Sequence, residues 1–207
     1  EKKLEFISRE DNWFLEKFNL KNKFVVMYSG NQGRGHDFNT ILEAANLLKG
    51  ESEIVFVFIG NGFQNKFLRD EVKTRLITNC IFLPFQKLED LSYSLSSADI
   101  GIVSIKKGMG GLIAPSKLYG YLAVSVPVIV ISPEKSYIKN IVEETNCGKW
   151  FSNNESNKLA NWILQMKSDK VSLKMLGDNG REFIMKNANT DLCIGKYKEL
   201  FKTYNVF

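Results

Sequence analysis

Short apolar runs alternate with amphipathic stretches along most of the chain. Phe24-Val25-Val26-Met27-Tyr28 is the first run and leads into a glycine-bearing loop. From about Phe38 to Leu48, Ile41, Leu42, Ala45 and Leu48 recur on one helical face, so the spacing predicts a helix. The run from Ile54 to Ile59 is apolar at every position, the pattern of a strand buried on both faces of a parallel sheet. Gly60-Asn61-Gly62 ends it, and a helix is expected from Phe63 to Leu76. Cys80-Ile81-Phe82-Leu83 reads as a third strand stopped by Pro84, Leu88 to Ala98 as a helix, and Asp99 to Ser104 as a fourth strand. A turn at Pro115 opens a helix that ends before Pro127, and Val128-Ile129-Val130-Ile131 is the fifth strand. A helix from Pro133 to Glu144 and a short sixth strand from Cys147 to Phe151 follow.

The remainder reads as wholly helical, over roughly Ser156–Lys167, Val171–Asn187 and Asp191–Tyr204. Strands alternating with helices predict a doubly wound, Rossmann-like α/β fold. Its parallel sheet would have about six strands, with helices on both faces and a helical C-terminus, and its ligand crevice lies at the strands' carboxyl ends. No linker, repeat or low-complexity segment divides the chain, so residues 1–207 are expected to form one domain. Residues 1–22, with a short helix over Asp11 to Leu20, read as a lead-in, and 156–207 as C-terminal helices. A complete enzyme rarely starts so abruptly, so the chain is expected to be part of a longer polypeptide.

Composition narrows the class. The 207 residues are 44% hydrophobic and 25% charged, enough for a packed core with a soluble surface. No apolar run approaches the roughly 18 residues of a membrane span. Glu1-Lys2-Lys3-Leu4-Glu5 lacks the apolar centre of a signal peptide. Three cysteines, Cys80, Cys147 and Cys193, are odd in number and far apart, and read as buried thiols in a reducing, cytoplasmic setting. The net charge of +5 is spread along the chain without a basic, aromatic-interleaved tract, which disfavours nucleic acid and favours an anionic small ligand or a membrane surface.

Candidate chemistry gathers in loops that follow strands. Pro115-Ser116-Lys117-Leu118-Tyr119-Gly120 offers helix-start amides, a hydroxyl and an ammonium together, which suits a diphosphate. Ser29-Gly30-Asn31-Gln32-Gly33-Arg34-Gly35 and Gly60-Asn61-Gly62 are the companion loops. In the first of these loops Gly30, Gly33 and Gly35 run G-x-x-G-x-G, not G-x-G-x-x-G, and no acidic residue ends the second strand, so a nicotinamide or flavin enzyme is disfavoured. A Walker loop and a G-x-S-x-G elbow are both missing. The one histidine, His36, lies in a polar glycine-rich loop, where a ligand-facing role competes with a structural one. No His, Cys, Asp or Glu spacing supports a metal site.

Together these residues resemble the C-terminal, donor-binding half of a GT-B glycosyltransferase of the family-4, or group 1, type. Tyr28-Ser29-Gly30-Asn31 with Gly35-His36-Asp37 and Ile41-Leu42-Glu43-Ala44-Ala45 looks like that family's opening strand, loop and helix. Phe58-Ile59-Gly60-Asn61-Gly62 is similar to its second loop. Leu83-Pro84-Phe85-Gln86 and Leu88, leading to Ser97-Ala98-Asp99-Ile100, resemble the segment beside the nucleotide base. Pro115-Ser116-Lys117-Leu118-Tyr119-Gly120-Tyr121-Leu122-Ala123 before Pro127-Val128-Ile129 resembles a "PSK" subgroup found in bacterial polysaccharide and O-antigen clusters. The similarity spans about Phe24 to Phe151. The E-x7-E pair of many relatives is absent: counting back from Pro127 puts Leu112 and Gly120 at its two positions, and Ser125 stands where a glycine is usual.

The resemblance implies a metal-independent, retaining transfer of sugar from a nucleotide sugar, with UDP as the expected nucleotide, to a glycan or lipid-linked acceptor. No cofactor beyond that donor is expected. Ser116 and Lys117 would hold the diphosphate, with Lys117 stabilising the leaving group. Gly30 and Asn31 would bring backbone amides and a side chain to the phosphate or sugar, with Arg34 or His36 replacing the family's basic residues. Phe85, Gln86 and Leu88 would meet the base, and Gly60, Asn61, Gly62, Pro115, Tyr119 and Gly120 would complete the donor site. The acceptor would sit on an N-terminal domain of the same polypeptide, leaving this half inactive alone, and the enzyme would work at the inner face of the plasma membrane. The alternatives are a GT-B-fold sugar-nucleotide epimerase and a non-catalytic nucleotide-sugar-binding module.

Overall fold

The computed structural model describes residues 4–204. Glu1-Lys2-Lys3, on which the expectations about the chain's start partly rest, lie outside the described residues, as do residues 205–207. A short helix α1 (Trp13–Lys17) precedes β1 (Phe24–Ser29), and Asn12 caps it by accepting from the Phe14 amide. Alternation follows: α2 (Asn39–Leu47), β2 (Ile54–Ile59), α3 (Asn65–Thr74), β3 (Cys80–Leu83), α4 (Leu91–Ser96), β4 (Ile100–Ser104), α5 (Lys117–Ala123), β5 (Val128–Ile131), α6 (Tyr137–Thr145) and β6 (Gly148–Phe151). Three helices close the chain: α7 (Ser156–Ser168), α8 (Lys170–Phe183) and α9 (Thr190–Thr203).

The six strands form one sheet in the order β3-β2-β1-β4-β5-β6, and every pairing is parallel. Side chains on each strand alternate between two cores. Phe24, Val26 and Tyr28 of β1 and Ile54, Phe56 and Phe58 of β2 join α2, Leu68 of α3 and α7 on one face. Val25, Met27, Val55, Val57 and Ile59 join α1, α4, α5 and α6 on the other. Burial on both faces is the physical reason these strands read as unbroken apolar runs rather than alternating ones. Each such side chain contributes roughly 1.5–3 kcal/mol on leaving water.

Strand order reverses between β1 and β4, and doubly wound sheets open their ligand crevice at that switch point. The chain that reaches it is held firmly. The Tyr121 hydroxyl of α5 donates to the Met27 carbonyl of β1 at 2.8 Å, in a fully buried position. Gly101 of β4 makes room, because a Cβ there would lie 2.4 Å from Cγ of the Tyr121 ring. At the opposite end of the sheet, Arg9 pairs with both carboxylate oxygens of Asp99 at 3.2 Å and donates to the Leu20, Lys21 and Lys23 carbonyls. Asp99 also accepts from the Val25 amide at 2.7 Å. The lead-in is thereby fastened to the starts of β1 and β4.

Several sequence expectations shift. The helix expected over Leu88 to Ala98 is a 3-10 turn (Leu88–Asp90) running into the shorter α4. α6 starts at Tyr137 rather than Pro133, and α3 starts at Asn65 rather than Phe63. α8 yields after Phe183 to a single π-type turn, Ile184–Ala188. Of the three cysteines only Cys147 is fully buried, since Cys80 lies on the edge strand β3 and Cys193 on the exposed α9; all three are free thiols. Burial pushes the Cys80 thiol up to about 12, so it carries no thiolate at neutral pH.

Candidate functional site

A cleft of about 410 Å³ opens over the carboxyl ends of β1 and β4. β1 delivers Ser29, Gly30 and Asn31, while Ile59 ends β2. Phe85 and Gln86 follow β3, and Leu91 and Leu95 come from α4. The segment after β4 supplies Ile113, Ala114, Pro115 and Ser116, then Lys117 at the start of α5, and His36 completes the lining. None of these lining residues is acidic.

Lys117 is the cleft's electrostatic centre. Its Nζ sits 4.7 Å from the Tyr28 ring centroid, and its Cε is 3.4 Å from where a Gly30 Cβ would be. Among the described residues it has no carboxylate partner within ion-pair distance. Burial pushes its ammonium down to about 8. Leu118 N–H and Tyr119 N–H donate to the Pro115 and Ser116 carbonyls, whereas the Ser116 and Lys117 amides have no backbone acceptor among the described residues. An unpaired, partly desolvated cation beside two open amides attracts an anion.

His36 lies behind Lys117 and is buried. Its Nδ1 lies 2.7 Å from the Ser104 carbonyl, which can only accept, so Nδ1 carries the proton and Nε2 holds the free lone pair. Burial, reinforced by the Lys117 charge, holds its pKa below the usual histidine value against the opposing Ser104 bond. The ring meets Tyr28 edge-on at 5.7 Å, and the Tyr28 hydroxyl donates to the Asn31 carbonyl at 2.6 Å. The Ser29–Gly35 loop after β1, loop 1, is thus braced from beneath.

The glycines of the second loop brace it from the side. A Cβ on Gly60 would strike the Gly30 carbonyl and come within 3.0 Å of Phe85. On Gly62, at φ +149°, a Cβ would lie 2.5 Å from Asn31 Oδ1 and 2.7 Å from the Gln32 amide. Only glycine allows the two loops to touch. Gln32 N–H donates to the Asn61 carbonyl at 2.8 Å, and Gln64 N–H to the Gln32 carbonyl at 2.9 Å, closing the seam.

The structure brings together eight of the sequence candidates: Gly30, Asn31, His36, Phe85, Gln86, Pro115, Ser116 and Lys117. Others fall outside the lining. Arg34 stacks on Phe63 at 3.7 Å on the rim. Gly60, Asn61 and Gly62 act behind loop 1. Leu88 is 72% exposed on the 3-10 turn, away from the cleft. Tyr119 packs into the second core, and Gly120 faces Leu95, 3.5 Å from its would-be Cβ. The Gly30 amide, expected to serve a phosphate, instead donates to the Ile59 carbonyl at 2.9 Å, because pairing between β1 and β2 runs one residue past the strand.

Sequence reasoning missed Ser29, Ile59, Leu91, Leu95, Ile113 and Ala114. Strand-end position marks the first two, and the four-residue spacing of Leu91 and Leu95 on α4 marks the next pair. Ile113 carried no signal, since its place depends on Gly35, whose missing Cβ leaves room for the Ile113 side chain.

A larger cavity, about 1000 Å³, lies at the amino ends of the strands, and several of its basic side chains are already engaged. Lys167 pairs with Glu53 at 2.6 Å, Lys23 donates to the Ser52 carbonyl, Arg9 holds Asp99, and Arg181 donates to the Ala123 carbonyl. The smaller cleft, with its unpaired Lys117, is the better candidate. Among the described residues no three His, Cys, Asp or Glu side chains converge to hold a metal, and no helix is long and apolar enough to cross a membrane.

The comparisons with known proteins agree with this architecture. The chain is 29% identical over 201 residues to the probable glycosyltransferase WbjE of Pseudomonas aeruginosa, covering 95% of this chain and 48% of that protein. It is 29% identical over 122 residues to the putative colanic acid biosynthesis glycosyl transferase WcaI of Escherichia coli (strain K12), covering 59% of this chain and 30% of WcaI. The chain thus spans about half the length of the first relative and less of the second. HepE of Anabaena, in a complex with UDP-glucose, superposes with a TM-score of 0.83 over 97% of this chain and 54% of HepE, at 13% identity. That likeness is one of fold. The model of the glycosyl transferases group 1 family matches residues 10–183, which takes in both loops, the cleft and the whole sheet. With that match covering most of its length, the chain belongs to the group 1 glycosyl transferases.

Proposed function

We propose that this chain is the donor half of a glycosyltransferase and that its cleft holds the nucleoside diphosphate of a sugar donor, UDP in the first instance. The observation that carries the reading is Lys117: a half-buried ammonium without a carboxylate partner, at a helix start, facing a cleft without an acidic residue. When the glycosidic bond breaks, negative charge grows on the leaving diphosphate. A fixed cation and the Ser116 and Lys117 amides lower the barrier there without first reorganising. Those groups supply the charge a metal would otherwise bring, so we read the transfer as metal-independent. His36 Nε2 accepts a hydrogen bond from a donor hydroxyl, and Asn31 lies alongside. Phe85 and Gln86 border the nucleobase.

The acceptor, a glycan or lipid-linked sugar of a bacterial surface polysaccharide, binds a second domain of the longer protein. The name of WcaI, a putative colanic acid biosynthesis glycosyl transferase, supports that class of product. We read the transfer as retaining, and the protein as cytoplasmic, acting at the inner face of the membrane when its acceptor is lipid-linked. Calorimetry with UDP in chelator tests the donor reading, and saturable binding without metal is the expected result. No binding at millimolar UDP, or binding that needs Mg²⁺, refutes it. Sugar transfer by residues 1–207 alone, tried with UDP-sugars and lipid-linked acceptors, would overturn the assignment of the acceptor to another domain.

A further inference from the structure

Tyr28 of β1 is fully buried and does not line the cleft, yet it touches three residues that do. The Lys117 ammonium lies 4.7 Å from its ring centroid. The His36 ring meets it edge-on at 5.7 Å, and its hydroxyl donates to the Asn31 carbonyl at 2.6 Å. Phe38 packs against the same ring at 4.8 Å within the first core, so the ring is held on several sides. Lys117 is also hemmed by Gly30, whose missing Cβ would lie 3.4 Å from its Cε. A partly desolvated ammonium needs a partner, and no carboxylate lines the cleft. The titratable groups facing it, Tyr28 and His36, are both neutral, because burial holds the phenol above and the imidazole below its ordinary value. Arg34 is occupied by Phe63 on the rim. Among the described residues Lys117 Nζ makes no hydrogen bond or ion pair, so the Tyr28 face is the contact that favours its charge.

We propose that Tyr28 is a positioning residue of the donor site: its ring face keeps the Lys117 ammonium charged and in place for a diphosphate, while its hydroxyl fixes the Asn31 carbonyl of loop 1. The role toward a diphosphate rests on the donor-site reading above, whereas the hold on Lys117 stands without it. An ammonium over an aromatic face gains more from the ring as it loses water. A carboxylate in the same place would also keep the lysine charged, but it would repel the diphosphate and cancel the charge that draws it in. A neutral ring offsets part of the desolvation and leaves the whole positive charge to the ligand. The hydroxyl then ties that ring to loop 1, so one buried side chain serves both the start of α5 and the loop after β1.

The test replaces Tyr28, in the 207-residue chain, with rings of one shape and falling electron density: phenylalanine, 4-fluorophenylalanine and 3,4,5-trifluorophenylalanine. The Lys117 titration is read without nucleotide, from the pH dependence of its acetylation by acetic anhydride, followed by mass spectrometry. Tyr28→Phe should titrate as the native chain does. From phenylalanine to the trifluoro ring the midpoint should fall by about half to one and a half pH units, and the pH at which UDP affinity declines in calorimetry should fall with it. Tyr28→Phe by itself should weaken UDP about two- to ten-fold at pH 7, since only the bond to Asn31 is lost; unchanged affinity overturns the hydroxyl's part. A Lys117 midpoint that fluorination does not move, in chains that melt normally, refutes the hold on the charge and leaves the donor reading standing if UDP binds. If fluorination moves the midpoint but the native chain binds no UDP, the donor reading fails and the positioning role fails with it. Should the trifluoro chain not fold, the 4-fluoro ring, one atom different from phenylalanine, decides by a smaller shift in the same direction or by none.

Discussion

Replacing Lys117 with methionine separates ligand affinity from stability, because the two should move in opposite directions. Burial holds the folded ammonium at about 8, below its ordinary 10.5. Keeping it charged at neutral pH therefore costs the empty fold up to about 3 kcal/mol. The folded value lies below the unfolded one, so the cost is present in full below pH 8 and disappears as pH climbs towards 10.5. Methionine fills a similar volume without charge. Lys117→Met should raise the melting temperature by several degrees at pH 7, less the lost contact with the Tyr28 ring, with the gain fading between pH 8 and pH 10.5. UDP should bind ten- to about 150-fold more weakly, the equivalent of a charge-assisted contact of about 1.5–3 kcal/mol. Uridine, which has no phosphate, should bind almost as before. In the native chain UDP affinity should also fall between pH 7 and pH 9.5, by up to about 30-fold as the empty lysine loses its proton, and that slope should vanish in the variant. Calorimetry and thermal melts across that range supply both readouts. A variant that melts lower and still binds UDP within three-fold of the native chain would show that Lys117 is a structural lysine.

Three further outcomes follow from geometry already described. Gly62→Ala forces a Cβ against Asn31 and Gln32, so urea unfolding should show a loss of about 2 kcal/mol or more, together with weaker UDP binding; an unaffected variant means the loops do not touch in solution. Arg9→Ala strips Asp99 of its ion-pair partner and should destabilise the fold by about 2 kcal/mol or more at pH 7. Burial already raises the Asp99 pKa, so the deficit should shrink as pH falls and the acid protonates, and adding Asp99→Asn should recover part of it; a pH-independent deficit contradicts the reasoning. His36 should stay neutral at pH 7 with its proton on Nδ1, and nitrogen NMR of this single histidine reads that tautomer directly; protonation at Nε2 instead would refute the Ser104 contact.

Much of the fold was legible because burial on both faces writes itself as unbroken apolar runs. β2 is the clearest case, apolar at all six positions. Helix starts were harder to place. Pro133 reads as a helix opener, yet the chain spends Pro133 to Ser136 turning, with the Ser136 hydroxyl bonded to Ser132, before α6 begins. The polar half of the cleft was readable from residue type, as with Ser116 and Lys117, whose pairing at a strand-end turn implies an anion. The apolar half was not. Leu91 and Leu95 look like any helix core, and Ile113 is placed by contacts with residues far away in sequence. The Gly30 amide misled for a related reason: whether a loop N–H is free depends on how far the neighbouring strand pairs, which sequence does not record.

The buried bond from Tyr121 to the Met27 carbonyl joins the helix that carries Lys117 to the strand that carries loop 1. These two halves of the cleft lie far apart in sequence, yet this bond ties one to the other across the switch point. Association at this cleft should be set by diffusion and by the pull of Lys117 on a polyanion, and should slow as added salt screens that charge. Differences in affinity among related nucleotides would then reside in how fast each one leaves.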